Sequence, residues 1–334
     1  MKIKSALFYI LYMNPEISVI LPVYNGGSMV KEAIESVLKQ DFDNFEFLIC
    51  DDCSTDESHQ SILTLTKGYP NVKCFKNQTN KGLFKTLNFL ITNTTACLIH
   101  LWSQDDIMRP QCLAETVKFH QEHPELAMSY SGRDYINERG ELFELYQKDG
   151  TPAVIDSALY AKISVYWGCI AGNIANVTLS KHALDQCGLF DESMRVSGDY
   201  EMWTRLAKHA PIGFINKPLI LLRRHSGQLS RSLTSIYFSI KEDIPVILDT
   251  LSMVAPQDKK KATTAWKWRT HVMYFNEILF LIYNRKFDLA LKCLKLVSAQ
   301  TNIFLLSIRW TIIRIFRILK KDRWFYNSVL NTLN

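Results

Sequence analysis

The stretch Ile17-Ser-Val-Ile-Leu-Pro-Val-Tyr-Asn-Gly-Gly-Ser28 decides the fold. Residues 17–22 are a short run of strand formers that ends in the turn Tyr24-Asn25-Gly26-Gly27. Ser28 then opens a helix to about Lys39, with Val30, Ala33, Ile34, Val37 and Leu38 on one face. The same unit recurs downstream. Residues 45–50 form a second apolar strand ending at Asp51-Asp52, and Ser54 or Thr55 starts a helix to about Thr66. Residues 71–75 read as a third strand, Asn80 caps a helix through Leu90, and residues 96–102 make a fourth strand running into Asp105-Asp106. Pro110 suits the first turn of the next helix. Continuous apolar strands alternating with helices predict an α/β fold whose parallel sheet is covered on both faces. In such sheets ligands sit beyond the carboxyl ends of the strands. Three of those ends carry Tyr24-Asn25, Asp51-Asp52 and Asp105-Asp106, residue types that hold a polar ligand and a cation.

After Glu125 the pattern is more polar and less regular, with a helix over 199–208, a strand over 219–223 and helix from about Ile236 onward. With 334 residues, 47% hydrophobic and 22% charged, the chain has the apolar mass for a sizeable core. Its 13 glycines and 10 prolines exclude a collagen-like or low-complexity protein, and no repeat occurs at solenoid spacing. Eight cysteines are too sparse for a disulfide framework and read as buried free thiols in a reducing compartment. Charge is uneven: 24 Lys and Arg face 29 Asp and Glu before Pro256, and 15 face 4 from Pro256 on. The basic last quarter attracts polyanions, either nucleic acid or an anionic membrane surface. No stretch reads as a clean membrane span: residues 296–308 are apolar but fall short of the ~20 a bilayer requires. Residues 6–13 are shorter still and lack a small-residue cleavage site, which argues against a signal peptide; Met13 is an alternative start.

Asp105 and Asp106 repel each other unless solvated or bound to a cation, and hard divalent ions take such oxygen ligands. A solvated capping turn is the plainer alternative. A carboxylate at Asp52 can accept hydrogen bonds from a base or ribose, or serve a helix start together with Ser54-Thr55-Asp56. The Cys50–Cys53 CxxC has no second pair and reads as coincidence, and neither GxGxxG nor a P-loop occurs. Asp199 opens a helix, either as an acid favoured by the dipole or as a general base. His225, beside Arg223 and Arg224, reads as a metal ligand, a phosphate partner or a surface histidine. Over residues 303–324 a helical wheel sets Arg309, Arg314, Arg317, Lys320 and Lys321 against Phe304, Leu305, Ile308, Ile312, Ile315 and Leu319, with Trp310 and Trp324 added. That pattern fits a helix lying in an anionic membrane surface, or one packed on the domain or on a second copy.

The order of these motifs resembles family 2 glycosyltransferases of the GT-A fold. The resemblance rests on residues 17–25 (ISVILPVYN), 46–56 (EFLICDDCSTD), Asn80-Lys81-Gly82 with Asn88, and Ser103-Gln104-Asp105-Asp106. Gly188-Leu-Phe-Asp-Glu-Ser193, Gly198-Asp-Tyr-Glu-Met-Trp203 and Arg224-His225 followed by Gln228 and Ser230 extend it, so that it covers about residues 16–232. It implies a Rossmann-like, mostly parallel sheet with flanking helices and a C-terminal helical extension. The implied division is an N-terminal extension (1–15), a GT-A domain (16–235, with nucleotide-binding half 16–106 and acceptor half 107–235) and a basic helical region (236–334).

The resemblance further implies an inverting, metal-dependent transferase that uses a nucleotide-diphosphate sugar. Pro22, Tyr24 and Asp52 would surround the base, with Lys81 also on the nucleotide. Asp105 would meet the ribose or the metal, and Asp106 would bind the Mn2+ or Mg2+ that bridges the diphosphate. His225 would lie at the metal and diphosphate, and Asp199 would be the catalytic base. Three positions depart from the family pattern: Ser103 replaces an acid, Gly198 replaces the acid before Asp199, and Cys53 replaces a common glycine. The expected acceptor is a saccharide or lipid-linked saccharide of bacterial surface-polysaccharide synthesis. The expected location is cytoplasmic, peripheral to the inner face of the cell membrane through the C-terminal helix. Nucleic acid is not expected, since the aromatic motifs of RNA modules are absent. Two rivals remain: a sugar nucleotidyltransferase, which would require a basic Gly-rich loop after the first strand, and a non-catalytic sugar-nucleotide-binding scaffold, against which Asp106 and Asp199 argue.

Overall fold

The computed structural model describes residues 15–148, 150–225, 227–228 and 232–321. The N-terminal extension through Asn14, the alternative start Met13, Ser230 and Trp324 lie outside the described residues.

The predicted βα alternation is present. Strands β1 (Ile17–Val23), β2 (Phe45–Asp51), β3 (Val72–Lys76) and β4 (Leu98–Leu101) alternate with helices α1 (Met29–Leu38), α2 (Ser58–Leu65) and α3 (Leu83–Thr92). These strands lie in the order β3-β2-β1-β4, all parallel. Both faces of β1 and β2 are buried, as their unbroken apolar sequence requires. Val30 and Ile34 of α1 pack on one face of the sheet in a core that also takes in Met108, Leu113 and Val117. Pro22 interrupts nothing, because the pairing of β1 with β4 stops at Ile20.

Beyond β4 the sheet becomes mixed. After the short β5 (Ile107–Met108) and helix α4 (Cys112–Glu122) come β6 (Met128–Ile136), β7 (Leu142–Glu144) and β8 (Val154–Ile155). Helix α5 (Ser157–Trp167), β9 (Val177–Ser180), α6 (Lys181–Cys187), α7 (Gly198–His209) and β10 (Ile212–Arg223) follow. Strand β9 is antiparallel to both β4 and β6, while β6 and β10 run parallel. Strand β6 has no apolar signature because its buried positions include Ser129, Ser131 and Asp134. Each has a partner: Ser129 Oγ meets His120 Nε2 at 2.9 Å, Ser131 Oγ donates to the Gly132 carbonyl at 3.1 Å, and Arg109 pairs with Asp134.

The described residues form two compact units: one from residues up to 156 and 171–225, the other from 157–170 and 227 onward. Helix α5, inside the expected 16–235 domain, therefore groups with the C-terminal helices. In that second unit α8 (Leu233–Met253), α9 (Pro256–Tyr283), α10 (Phe287–Ser298) and α11 (Ile303–Ile318) share a core around Ile244, Tyr274, Ile278, Cys293, Val297 and Leu306. Helix α11 ends at Ile318, short of the projected 324. All eight cysteines are free. Cys50, Cys112 and Cys293 are buried as expected, but Cys74 and Cys97 are exposed, Cys74 because it lies on the sheet's edge strand β3.

Candidate active site

The carboxyl ends of β1, β2, β4 and β10 supply the candidate residues. The loop after β1 is stitched to the loop after β2. Asn25, Gly26 and Gly27 donate their backbone N–H groups to Ser54 Oγ (3.0 Å), Ser58 Oγ (2.9 Å) and Asp56 Oδ2 (2.9 Å), and Asn25 Oδ1 accepts from the Thr55 N–H (2.8 Å). These bonds occupy Ser54, Thr55 and Asp56, so α2 starts only at Ser58 rather than at the expected Ser54 or Thr55. Cys53 holds φ +66°, which explains why glycine is common at this position of the family pattern. Gln104, which sequence reasoning passed over, clamps the Tyr24 backbone: its Oε1 accepts the Tyr24 N–H at 2.8 Å and its Nε2 donates to the Tyr24 carbonyl at 3.1 Å. The Tyr24 ring stays exposed above that clamp.

Asp52 is buried and organises the loop before α3. Its Oδ1 accepts from Asn77 Nδ2 (2.7 Å) and the Lys81 N–H (2.8 Å), and its Oδ2 from the Gly82 N–H (2.8 Å). Gly82 at φ +87° is the residue that caps α3, not Asn80. The Lys81 side chain is exposed on the same loop. Phe84, two residues on, packs against the N-terminus of α7: a Cβ added to Gly198 would come within 2.7 Å of its ring. This contact fixes the first turn of α7, which carries the partly buried Asp199; Asp199 Oδ1 accepts the Tyr200 N–H at 2.7 Å. It also explains Gly198, where the family pattern carries an acid. Asn88 of α3 fixes residues 188–193, its amide donating to the Phe190 carbonyl (2.9 Å) and to Glu192 (3.1 Å) while its carbonyl accepts the Phe190 N–H (3.0 Å).

The two acids after β4 part company. Asp105 Oδ2 meets His225 Nε2 at 2.9 Å, and its Oδ1 accepts from Ser103 Oγ. Both side chains reach solvent, 19% exposed for Asp105 and 13% for His225. Asp106 is buried and accepts the Arg223 N–H at 2.8 Å. Burial, then the Asp105 charge, push the Asp106 carboxyl well above the usual carboxylate range against the opposing pull of Arg223 and Arg133. The structure thus brings together Asp105 and His225, two of the three expected metal residues, and uses the third, Asp106, to tie the acidic turn to β10.

Arg223, noted in the sequence only as a neighbour of His225, is the buried staple of this corner. Its Nε donates to the Asp105 carbonyl (2.9 Å), its Nη1 to the Asn137 and Glu138 carbonyls (3.2 Å each), and its Nη2 to Glu32 of α1 (2.8 Å). The one available signal was a basic residue closing an apolar strand two positions before His225. Among the described residues no three His, Cys, Asp or Glu side chains cluster as metal ligands. The pair Asp105–His225 offers one oxygen and one nitrogen, which fits a divalent cation that takes its other ligands from phosphate and water.

A parallel half-sheet, continued by a mixed half and bearing acids at its strand ends, defines a GT-A-type α/β domain. The sequence model of glycosyl transferase family 2 matches residues 18–178. A Rickettsia felis protein, named an uncharacterized glycosyltransferase, is 28% identical over 222 residues, which are 66% of this chain and 36% of that longer protein. S. aureus TarS 1–349 in complex with UDP-GlcNAc superposes with a TM-score of 0.59 at 18% identity, covering 95% of this chain and 91% of that one. The Pyrobaculum calidifontis mannosyltransferase PcManGT in complex with GDP-Man and Mn2+ gives a TM-score of 0.55 at 12% identity, covering 95% and 86%. Over residues 18–178 the chain thus resembles glycosyl transferase family 2, and over most of its length it shares the fold of these transferases.

Proposed function

We propose that this chain transfers a sugar from a nucleoside-diphosphate donor to an acceptor hydroxyl, with inversion and with a divalent cation bound. The observation that carries the reading is the Asp105–His225 pair, which lies in the same compact unit as the Asp52 loop and Asp199. Tyr24, Pro22 and the Asp52 loop hold the base and ribose. Asp105 and His225 hold the Mn2+ or Mg2+, which when bound offsets the charge of the departing diphosphate. Asp199 accepts the proton of the acceptor hydroxyl as that oxygen bonds to the anomeric carbon. The bond from that carbon to the diphosphate oxygen breaks on the opposite face, and the nucleoside diphosphate leaves. One displacement accounts for inversion, and no covalent enzyme intermediate forms. A TarS structure holding UDP-GlcNAc and a mannosyltransferase structure holding GDP-Man with Mn2+ support the donor class and the cation.

The finer reading takes the acceptor as a lipid-linked saccharide of bacterial surface-polysaccharide synthesis, met at the inner face of the cell membrane. Its support is the charge of the chain from Pro256 on, 15 Lys and Arg against 4 Asp and Glu. The test is a panel of nucleotide sugars incubated with Mn2+ or Mg2+ and with chelator. Cation-dependent release of nucleoside diphosphate from one donor is expected. Release undiminished in excess chelator removes the cation from the reading, and no release from any donor, with or without saccharide acceptors, favours a binding scaffold.

A further inference from the structure

We propose that helix α11 docks this chain on an anionic lipid bilayer, lying in the surface with the face that the described residues leave uncovered. One side of α11 is committed to its own unit. Leu306 and Ile313 are fully buried there, and Trp310 donates its indole N–H to Asn276 Oδ1 at 2.6 Å while meeting Phe275 edge-on. At about 100° per residue, Phe304, Ile308 and Ile315 fall within about 40° of one another on the opposite side. They are 72%, 41% and 50% exposed. A helix that is apolar on two opposite faces, with only one of them packed by the described residues, has a face unpartnered among them.

Charge selects the occupant. Arg309 and Arg314 fall on the two flanks between the packed and the exposed faces. The Arg309 guanidinium sits 5.8 Å from the Trp268 ring centroid and that of Arg314 5.3 Å from the Trp310 ring centroid. An apolar centre bordered by cations is the pattern of a helix lying in an anionic interface. A second copy would bring the same excess, 15 basic against 4 acidic residues from Pro256 on, against itself, whereas anionic headgroups neutralise it. Among the described residues no single helix is long and apolar enough to cross a membrane, and α10 with α11 reaches that length only through a 101° bend. Lying in the surface satisfies both the length and the charge. This inference does not rest on the transfer reading, and its test reads vesicle binding.

The full chain and the doubly substituted I308D/I315D chain are sedimented with phosphatidylcholine vesicles, alone or with about a third phosphatidylglycerol. Both substitutions fall on exposed positions, so unchanged circular dichroism and thermal midpoint verify the fold. The parent is expected to bind only the anionic vesicles, to remain partly bound at about 0.5 M salt because apolar insertion is not screened, and to lose at least about tenfold in binding on substitution. Donor hydrolysis should be equal in the two forms. Equal vesicle binding by parent and variant overturns the proposal, as does complete release of the parent by salt. A parent that ignores both vesicles and sediments as a dimer, with the variant a monomer, assigns the face to a second copy instead.

Discussion

At the scale of single residues, the two acids after β4 divide the work. Asp105 is partly exposed and paired with His225, whereas Asp106 is buried and pinned to the β10 backbone. Asp105→Asn should therefore raise the Mn2+ concentration that half-activates donor hydrolysis by about 10- to 100-fold. Asp106→Asn, which keeps an acceptor for the Arg223 N–H, should shift it by less than about threefold and lower the melting temperature instead. Cation titrations of the two variants decide the matter, and the reverse ranking would return the ligand role to Asp106. Asp199→Asn keeps shape and hydrogen bonding but cannot take a proton. Transfer should fall by at least about 10²-fold with the donor KM little changed. Near-normal turnover in that variant would remove Asp199 as the base.

At the scale of elements, the placement of Asp199 depends on how closely helices meet. Helix α7 approaches α3 so closely that only a hydrogen fits at Gly198, whose added Cβ would meet the Phe84 ring at 2.7 Å. Gly198→Ala should displace the first turn of α7, cost about 1–3 kcal/mol of stability by overpacking, and lower kcat more than it changes donor affinity. Adding Phe84→Leu should recover much of both losses, measured by denaturant unfolding and by turnover. A double variant no better than the single one would show that the contact does not control Asp199. The element boundaries follow the same logic: α2 starts late because Ser54, Thr55 and Asp56 are spent on the loop after β1, and α3 is capped by Gly82 because Asp52 claims the Lys81 and Gly82 N–H groups.

Across the whole molecule, three buried histidines couple folding to pH. Burial holds His100, His120 and His271 neutral, each lowered to about 4; the His123 charge adds to this at His120, and Arg309 and Lys267 at His271. Unfolded histidines titrate near 6.5. Between about pH 6.5 and 4 the unfolded chain therefore binds more protons, so stability is full above that window and is lost as pH falls through it. Each histidine contributes a slope of at most about 1.4 kcal/mol per pH unit. Urea unfolding at several pH values should show the decline, and His100→Asn should remove about one proton from it even though it costs stability through the lost Thr178 contact. An unchanged slope in that variant would mean that His100 does not stay neutral in the fold.

The primary structure alone determined the parallel half-sheet β3-β2-β1-β4, because uninterrupted apolar strands followed by capped helices leave few arrangements that bury both faces. It also pointed to the strand ends where Tyr24, Asp52, Asp105 and His225 stand, since polar residues closing apolar strands are legible in one dimension. The strands of the mixed half were not legible. Strand β6 buries Ser129, Ser131 and Asp134; His120 and Arg109, from outside the strand, satisfy Ser129 and Asp134, and Ser131 Oγ turns to the Gly132 carbonyl. The grouping of α5 with the C-terminal helices, the divergence of Asp105 from Asp106 and the staple formed by Arg223 were likewise decided by tertiary structure. Each depends on a partner far away in sequence: Arg223 reaches Glu32 across 191 positions. Local pattern records which side chains avoid water, but only the assembled fold settles which buried polar group meets which.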